Sequence, residues 1–410
     1  MRLLFLSNFY PPASRGGYEQ WCQEVLEALR ARGHDVCVLT SDFGAAKLDT
    51  PDPAWVQRTL HLEMELASLK NAFQFFTHRK RREQNNLAGL RALVASFRPE
   101  AILVWGMWNL PRSLPALAEE LLPGRVVYYM GDYWPTLPDQ FENYWNAAPR
   151  NLLTGLPKLL LRPLALRTLS QEARPMLKFA HVLFPSAFMQ REFAQKGLTP
   201  PKVSVVAGAI DTRPYLADSK TSSDQLSLLY IGRLTQEKGV HTAILAVAEL
   251  VHRIGLADLH LNIVGDGEPD YVAHLRDLIT QHSLASYVDL KPAQPKETMP
   301  ALYRSADIFL FTSIWPEPFG RVIVEAMASG VTVIGTPVGG AAEILVENVN
   351  ALTFPPDDAA SLARQIQTLR NDPALRLRLA RAGREWAVSR FDLQAMTSGI
   401  ENYLQAVVNS

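Results

Sequence analysis

The chain has 410 residues, enough for two or three domains, each able to bury a real core. Apolar residues make up 48% and charged residues 20%, an ordinary globular composition. Lys plus Arg number 41 and so do Asp plus Glu, a balance with no electrostatic case for a nucleic-acid protein.

Taken from the start, Arg2 to Leu6 reads as a first strand, because it lacks the long apolar core and cleavage site of a signal peptide. Tyr18 to Arg32 carries Trp21, Val25, Leu26 and Leu29 at helical spacing, and Gly33 stops that helix. Val36 to Thr40 is the next strand. Cys22 and Cys37 are too few for a disulfide framework or a zinc site and read as small buried residues. Further strands are expected at Ala101 to Val104, Val126 to Met130, Val182 to Phe184 and Val203 to Val205. The stretch from Ser219 to Gln225 is polar, and then a second series begins. Its strands are Leu226 to Ile231, Leu259 to Val264, Val288 to Leu290, Ile308 to Phe311, Val331 to Gly335 and Ala351 to Phe354. A last helix, about 393 to 408, has no strand after it. No apolar run reaches the roughly 18 residues of a membrane span, so the expected location is cytoplasmic.

Strands alternating with helices imply βαβ units and parallel sheets, hence an α/β chain of two Rossmann-like halves. We expect residues 1–210 as the first domain and 211–390 as the second, joined near 208–225. Residues 391–410 are expected to form a helix packing back on the first domain. Ligands of open α/β sheets bind at the carboxyl ends of strands, so functional residues should lie in loops that follow strands.

The strongest motif, Glu317-Pro-Phe-Gly-Arg-Val-Ile-Val-Glu325, directly follows the strand Ile308 to Phe311. Gly320 opens a helix there, and the N–H groups of Gly320, Arg321 and Val322 suit a diphosphate, drawn by donors and helix dipole. Glu317 is placed to accept from sugar hydroxyls. Glu325 is placed to accept both hydroxyls of a ribose, as acidic residues do in dinucleotide sites. Arg233 and Lys238 follow the first strand of the second series, and two cations in one loop suit a diphosphate leaving group. Gly16-Gly17, between Tyr10-Pro-Pro and the first helix, allows close approach of backbone to a ligand. Gly265-Asp-Gly267 either turns the chain or approaches a base. Gly339-Gly340 with Glu343 either covers the nucleotide or makes a tight loop. No metal cluster and no D-x-D pair stands out, so neither an essential metal nor a cofactor is expected.

The acidic segment resembles the E-x7-E motif of retaining GT-B glycosyltransferases, in particular family 4 of the sequence classification. Ile231-Gly-Arg-Leu-Thr-Gln-Glu-Lys-Gly239 is similar to the same family's G-R-x-x-x-x-K-G segment, and Gly16-Gly17 to its N-terminal glycine loop. The likeness runs from residue 1 to about 392 and weakens from 45 to 180. It implies the GT-B fold, two Rossmann-like domains facing a central cleft. It also implies retaining transfer of a sugar from a UDP- or GDP-sugar to a hydroxyl acceptor, a glycan or glycolipid. Arg233, Lys238 and Glu317 would carry the reaction. Gly16, Gly17, Gly232, Gly267, Pro318, Phe319, Gly320, Arg321, Val322 and Glu325 would hold the donor. The alternatives weighed are a nucleotide-sugar epimerase and a non-catalytic nucleotide-sugar binder.

The first half departs from that family. Where a histidine is common after the strand ending at Met130, the chain reads Gly131-Asp132-Tyr133-Trp134, and after Val104 stand Trp105-Gly106. The asparagine-glycine before the linker appears as Ala207-Gly208, with Asp211 kept. Aromatics cluster on these loops: Trp105, Trp108, Tyr128, Tyr129, Tyr133, Trp134, Tyr144 and Trp145. Trp105, Asp132, Tyr133 and Trp134 are therefore expected on the acceptor side, as a wall for a sugar ring or lipid chain. The apolar, basic stretch Leu156 to Arg167 and the run His78 to Arg82 read either as a peripheral contact with the inner membrane face or as a buried helix with a basic edge.

Overall fold

Apolar strands alternate with helices throughout the computed structural model, which describes residues 1–13, 16–48, 50–66, 70–149, 152–217 and 225–410. Of the expected connection near 208–225, residues 218–224 lie outside the described residues. The chain forms two units. The first comprises Met1–Pro185, Gln190–Val206 and Thr397–Ser410, and the second Ser186–Met189 and Ala207–Met396.

The first unit holds strands β1 (Arg2–Ser7), β2 (Asp35–Ser41), β3 (Val56–Leu60), β4 (Ala101–Gly106), β5 (Val126–Tyr129), β6 (His181–Phe184) and β7 (Lys202–Val205). They form one parallel sheet in the order β3-β2-β1-β4-β5-β6-β7. β1, β2, β4, β5 and β6 are buried on both faces almost throughout, which is why they read as unbroken apolar runs. β3 escaped the sequence reading. It is an edge strand, Val-Gln-Arg-Thr-Leu, with only its two ends buried, so polar residues mask its period.

The second unit contains β8 (Leu226–Ile231), β9 (Leu259–Val264), β10 (Val288–Lys291), β11 (Ile308–Phe311), β12 (Thr332–Gly335) and β13 (Ala351–Thr353), parallel in the order β10-β9-β8-β11-β12-β13. Leu228, Leu261, Ile263, Leu310 and Ile334 join helices Val240–Ala248 and Ala359–Asn371 in one core.

The helix Gly17–Ala31 ends as the sequence implies, with Gly33 at φ 88. The closing helix, Leu393–Asn409, begins in the second unit, and its residues from Thr397 belong to the first. There Glu401 pairs with Arg32 at 2.6 Å and His34 at 2.7 Å. Hydrogen bonds from His34 and Arg32 hold its carboxyl below the usual carboxylate range.

Candidate active site

An open parallel sheet leaves a crevice at the carboxyl ends of its strands where the winding reverses. In the second unit this point lies between β8 and β11, neighbours from which the chain winds outward in both directions. The loops that follow, 232–239 and 312–320, are bound to each other. Ile314 N–H donates to the Glu237 carbonyl at 2.9 Å, and the Thr312 hydroxyl to that of Lys238 at 2.8 Å. This lacing brings two expected site residues into direct contact. Lys238 Nζ forms an ion pair with Glu317 Oε1, an oxygen that also accepts from Ser313 Oγ at 2.7 Å. The lysine and glutamate side chains are 19% and 13% exposed, so water screens the pair only in part. Arg233 stands apart and exposed, its carbonyl accepting from the Tyr230 hydroxyl at 3.0 Å. Ser313 carried no signal in the sequence.

Gly320, at φ 123, opens the helix Arg321–Ala328, and no side chain caps that end. Pro318 precedes it, and Phe319 is buried edge-on against Phe391 at 5.4 Å. Phe319 thus anchors the loop by packing. Val322 is half-buried in the first turn. Glu325, one turn on, is 8% exposed and held at both oxygens: Arg321 Nε reaches Oε1 at 3.0 Å and the Tyr303 hydroxyl reaches Oε2 at 3.0 Å. Each oxygen keeps a second lone pair, so the carboxylate is fixed as an acceptor.

The remaining glycines do local work. Leu234 N–H donates to the Asp266 carbonyl at 2.9 Å, and a Cβ on Gly267 would collide with the Leu234 carbonyl. Gly265-Asp-Gly267 thereby lets the loop after β9 lie on the one after β8, beside Gly232. Gly340 N–H donates to the Glu317 carbonyl at 2.6 Å, so Gly339-Gly340 is the tight loop that supports the acidic segment from behind.

In the first unit the corresponding crevice is between β1 and β4. Gly16 is the extended residue before the first helix, and Gly17 begins it. Tyr18 then fills the crevice. Its hydroxyl lies against the carbonyls of Trp105 and Tyr129 and accepts Gly131 N–H at 3.1 Å. A Cβ on Gly131 would collide with the Tyr18 ring. The ring therefore occupies the space that a side chain at 131 would need, a relation hidden in the sequence because 113 residues separate the two.

Trp105 requires a correction. It is fully buried, donates Nε1 to the Tyr18 carbonyl at 2.9 Å and stacks on Tyr129 at 4.5 Å. It is a core residue and offers no face to an acceptor, because its position on β4 points it into packing. Tyr128, Tyr129 and Trp145 are fully buried as well. Tyr133 stacks on Phe193 at 6.1 Å and lies under Lys196, whereas Trp134 is 7% exposed with its Nε1 lacking a hydrogen-bond partner. Asp132 has an unpartnered buried Oδ1, and its carboxyl is pushed up to about 7, chiefly by burial and further by Glu19.

Comparison with known proteins agrees with the motifs. A family model described as "Glycosyl transferases group 1" matches residues 212–386, and "Glycosyltransferase Family 4" matches 15–213. A glycogen synthase of Mycobacterium tuberculosis is 32% identical over 99% of this chain and 95% of its own length. The lipopolysaccharide core biosynthesis glycosyltransferase LpsE of Rhizobium meliloti is 33% identical over 46% of this chain and 52% of its own. Among solved structures, sucrose-phosphate synthase of Thermosynechococcus elongatus superposes with a TM-score of 0.74 at 20% identity, covering all of both chains. Anabaena HepE, in complex with UDP and glucose, gives 0.69 at 22% identity, covering 99% of each. At these identities the two structures speak for the fold alone.

Proposed function

We propose that this chain, which belongs to the group 1 glycosyl transferases and has the GT-B fold, is a retaining transferase. In this reading it moves a sugar from a UDP- or GDP-sugar to a hydroxyl of a glycan or glycolipid. The observation that carries the proposal is the Lys238–Glu317 pair set beside the uncapped helix start at Gly320. When the sugar C1–oxygen bond breaks, charge develops on the diphosphate. Lys238, Arg233 and the N–H groups of the helix Arg321–Ala328 would stabilise that charge. Glu317 would accept from the sugar, and Glu325, oriented by Tyr303 and Arg321, from the ribose. The acceptor oxygen bonds to C1 on the face the diphosphate leaves, and its proton passes to the departing phosphate oxygen. No side chain must then replace the histidine absent at Gly131.

Fixed cations and helix donors support a donor site that needs no metal. UDP or GDP is expected to raise the melting temperature in the presence of a chelator. The shift grows with concentration, by about 2.7 kcal/mol at a hundred times the dissociation constant. Stabilisation that disappears with chelator and returns with a divalent ion would defeat the metal-free reading.

The proposal places the protein at the cytoplasmic side of a membrane. No helix among the described residues is long and apolar enough to cross one. Support for a peripheral contact comes from the helix Leu152–Gln171. Its Leu156, Leu159, Leu160 and Leu164 are exposed, with exposed Arg162 and Arg167 on the same helix. Apolar residues flanked by cations fit an anionic bilayer surface. Co-sedimentation with phosphatidylglycerol vesicles is expected, and Leu160→Asp should weaken it severalfold. Equal recovery with neutral vesicles, or with none, would remove the membrane from the proposal.

A further inference from the structure

Lys238 closes the short turn Gln236–Lys238, and the helix Val240–Ala248 follows at once. Between them Gly239 takes φ 61, in the left-handed region that favours glycine. A Cβ there would collide with the Thr312 carbonyl. One side of the turn is thus pinned to the loop 312–320. The other side depends on how firmly the helix start is held. A helix start leaves backbone N–H groups without partners, and Gly239, its cap residue, has no side chain to offer them.

The partners come from elsewhere in the second unit. Tyr271, on the helix Pro269–Gln281, is buried, and its hydroxyl accepts His241 N–H at 3.3 Å. The same hydroxyl lies 2.8 Å from His241 Nδ1, while Nε2 of that ring lies 2.8 Å from Asp357 Oδ1. A carboxylate only accepts, so the proton is assigned to Nε2, and Nδ1 accepts from the tyrosine. Asp357 Oδ1 also accepts from the Thr242 hydroxyl at 3.3 Å. Asp357 follows β13 and stands at φ 61, an uncommon conformation for a residue with a Cβ. From there its charge meets the positive end of the helix, a favourable placement. The His241 side chain is only 10% exposed, so water does not readily replace either partner. A phenol and a carboxylate already serve this helix start, which makes it a poor site for an anion. What the network fixes is the path by which the chain leaves Lys238.

We infer that His241 is a positioning residue for Lys238. Held between Tyr271 and Asp357, it fixes the first helical turn and with it the lysine that precedes the turn. The inference rests on the reading above, in which Lys238 meets the diphosphate of the donor. A lysine is a point charge on a flexible stem, so its effect on a phosphate depends on where the backbone holds that stem.

The test is titration calorimetry of UDP and of GDP on the full chain, followed for whichever binds tighter. The terminal phosphate of the free nucleotide carries the charge that the departing group acquires. His241→Ala should weaken binding about tenfold, as loss of one or two buried hydrogen bonds does. Tyr271→Phe, which keeps the ring and removes the hydroxyl, should weaken it severalfold. Asp357→Asn retains an oxygen that accepts from Nε2–H and should stay within about twofold of the wild type. In a Lys238→Ala background His241→Ala should weaken binding no further, because its effect passes through the lysine. A general loosening of the unit would instead cost the same factor in both backgrounds. That equal cost, or wild-type affinity in both His241→Ala and Tyr271→Phe, would overturn the inference while leaving the donor site in place. Failure of the donor reading shows separately, as wild-type protein that binds neither nucleotide or Lys238→Ala that binds as well as the wild type, and the inference falls with it.

Discussion

Lys238→Ala is expected to lower the rate of nucleotide release from the sugar donor by about a hundred- to a thousandfold. Removing one preorganised stabiliser of transition-state charge typically costs about 3–4 kcal/mol. The structure adds a second consequence. Lys238 neutralises Glu317, whose carboxylate is largely shielded from water and has the Ser313 hydroxyl as its other side-chain partner among the described residues. Deleting the lysine leaves that carboxylate uncompensated, so the loop 312–320 should loosen as well. Combining Lys238→Ala with Glu317→Gln should therefore restore melting temperature without restoring rate. Arg233, exposed and outside the pair, should behave differently: Arg233→Ala lowers the rate and leaves the melting temperature alone. The measurement is single-turnover release of UDP or GDP, paired with thermal unfolding. Wild-type rates in both single variants would remove these cations from the reaction. Additive melting shifts in the double variant would show that the ion pair is not coupled.

What the sequence made legible follows from how each feature is encoded. The interior strands β4 and β11 were readable because both faces are buried and their residues form unbroken apolar runs. The edge strand Val56–Leu60 was not, since Gln57, Arg58 and Thr59 break its apolar run. The loop and helix start of the acidic motif were legible because Glu317, Gly320 and Glu325 are close together in sequence on one loop and helix. The residues that orient those carboxylates, Ser313 and Tyr303, have no spacing that marks them. Gly267 was visible as a glycine, but its reason is a carbonyl 33 residues earlier, at Leu234. The aromatics misled for a related cause. Trp105 follows the apolar run Ala101 to Val104, where loop and core look alike in sequence, and its place on β4 with the stacking partner Tyr129 settles that it is core. The contacts of His241 with Tyr271 and Asp357 were illegible altogether, because they join segments separated by tens of residues.

Restoring a histidine at position 131 should destabilise the protein by about 1–3 kcal/mol, as overpacking of a filled site does. The reason is the Tyr18 ring, which lies where the first side-chain atom of residue 131 would go. Tyr18→Ala should be destabilising on its own. It opens a void and removes the hydroxyl that meets the Trp105 and Tyr129 carbonyls and accepts Gly131 N–H. The two changes compete for one space, so together they should cost less than their sum, with a coupling of about 1–3 kcal/mol. Denaturant melts of the two single variants and the double variant measure it. Strict additivity would mean that ring and imidazole do not exclude each other. Glycine at position 131 is thus what the Tyr18 ring of the first helix leaves room for in this chain. Because Tyr18 and Gly131 lie in the first unit and the proposed nucleotide contacts lie in the second, the UDP- or GDP-dependent thermal shift should survive in all three variants. Loss of that shift in Gly131→His alone would tie position 131 to the donor.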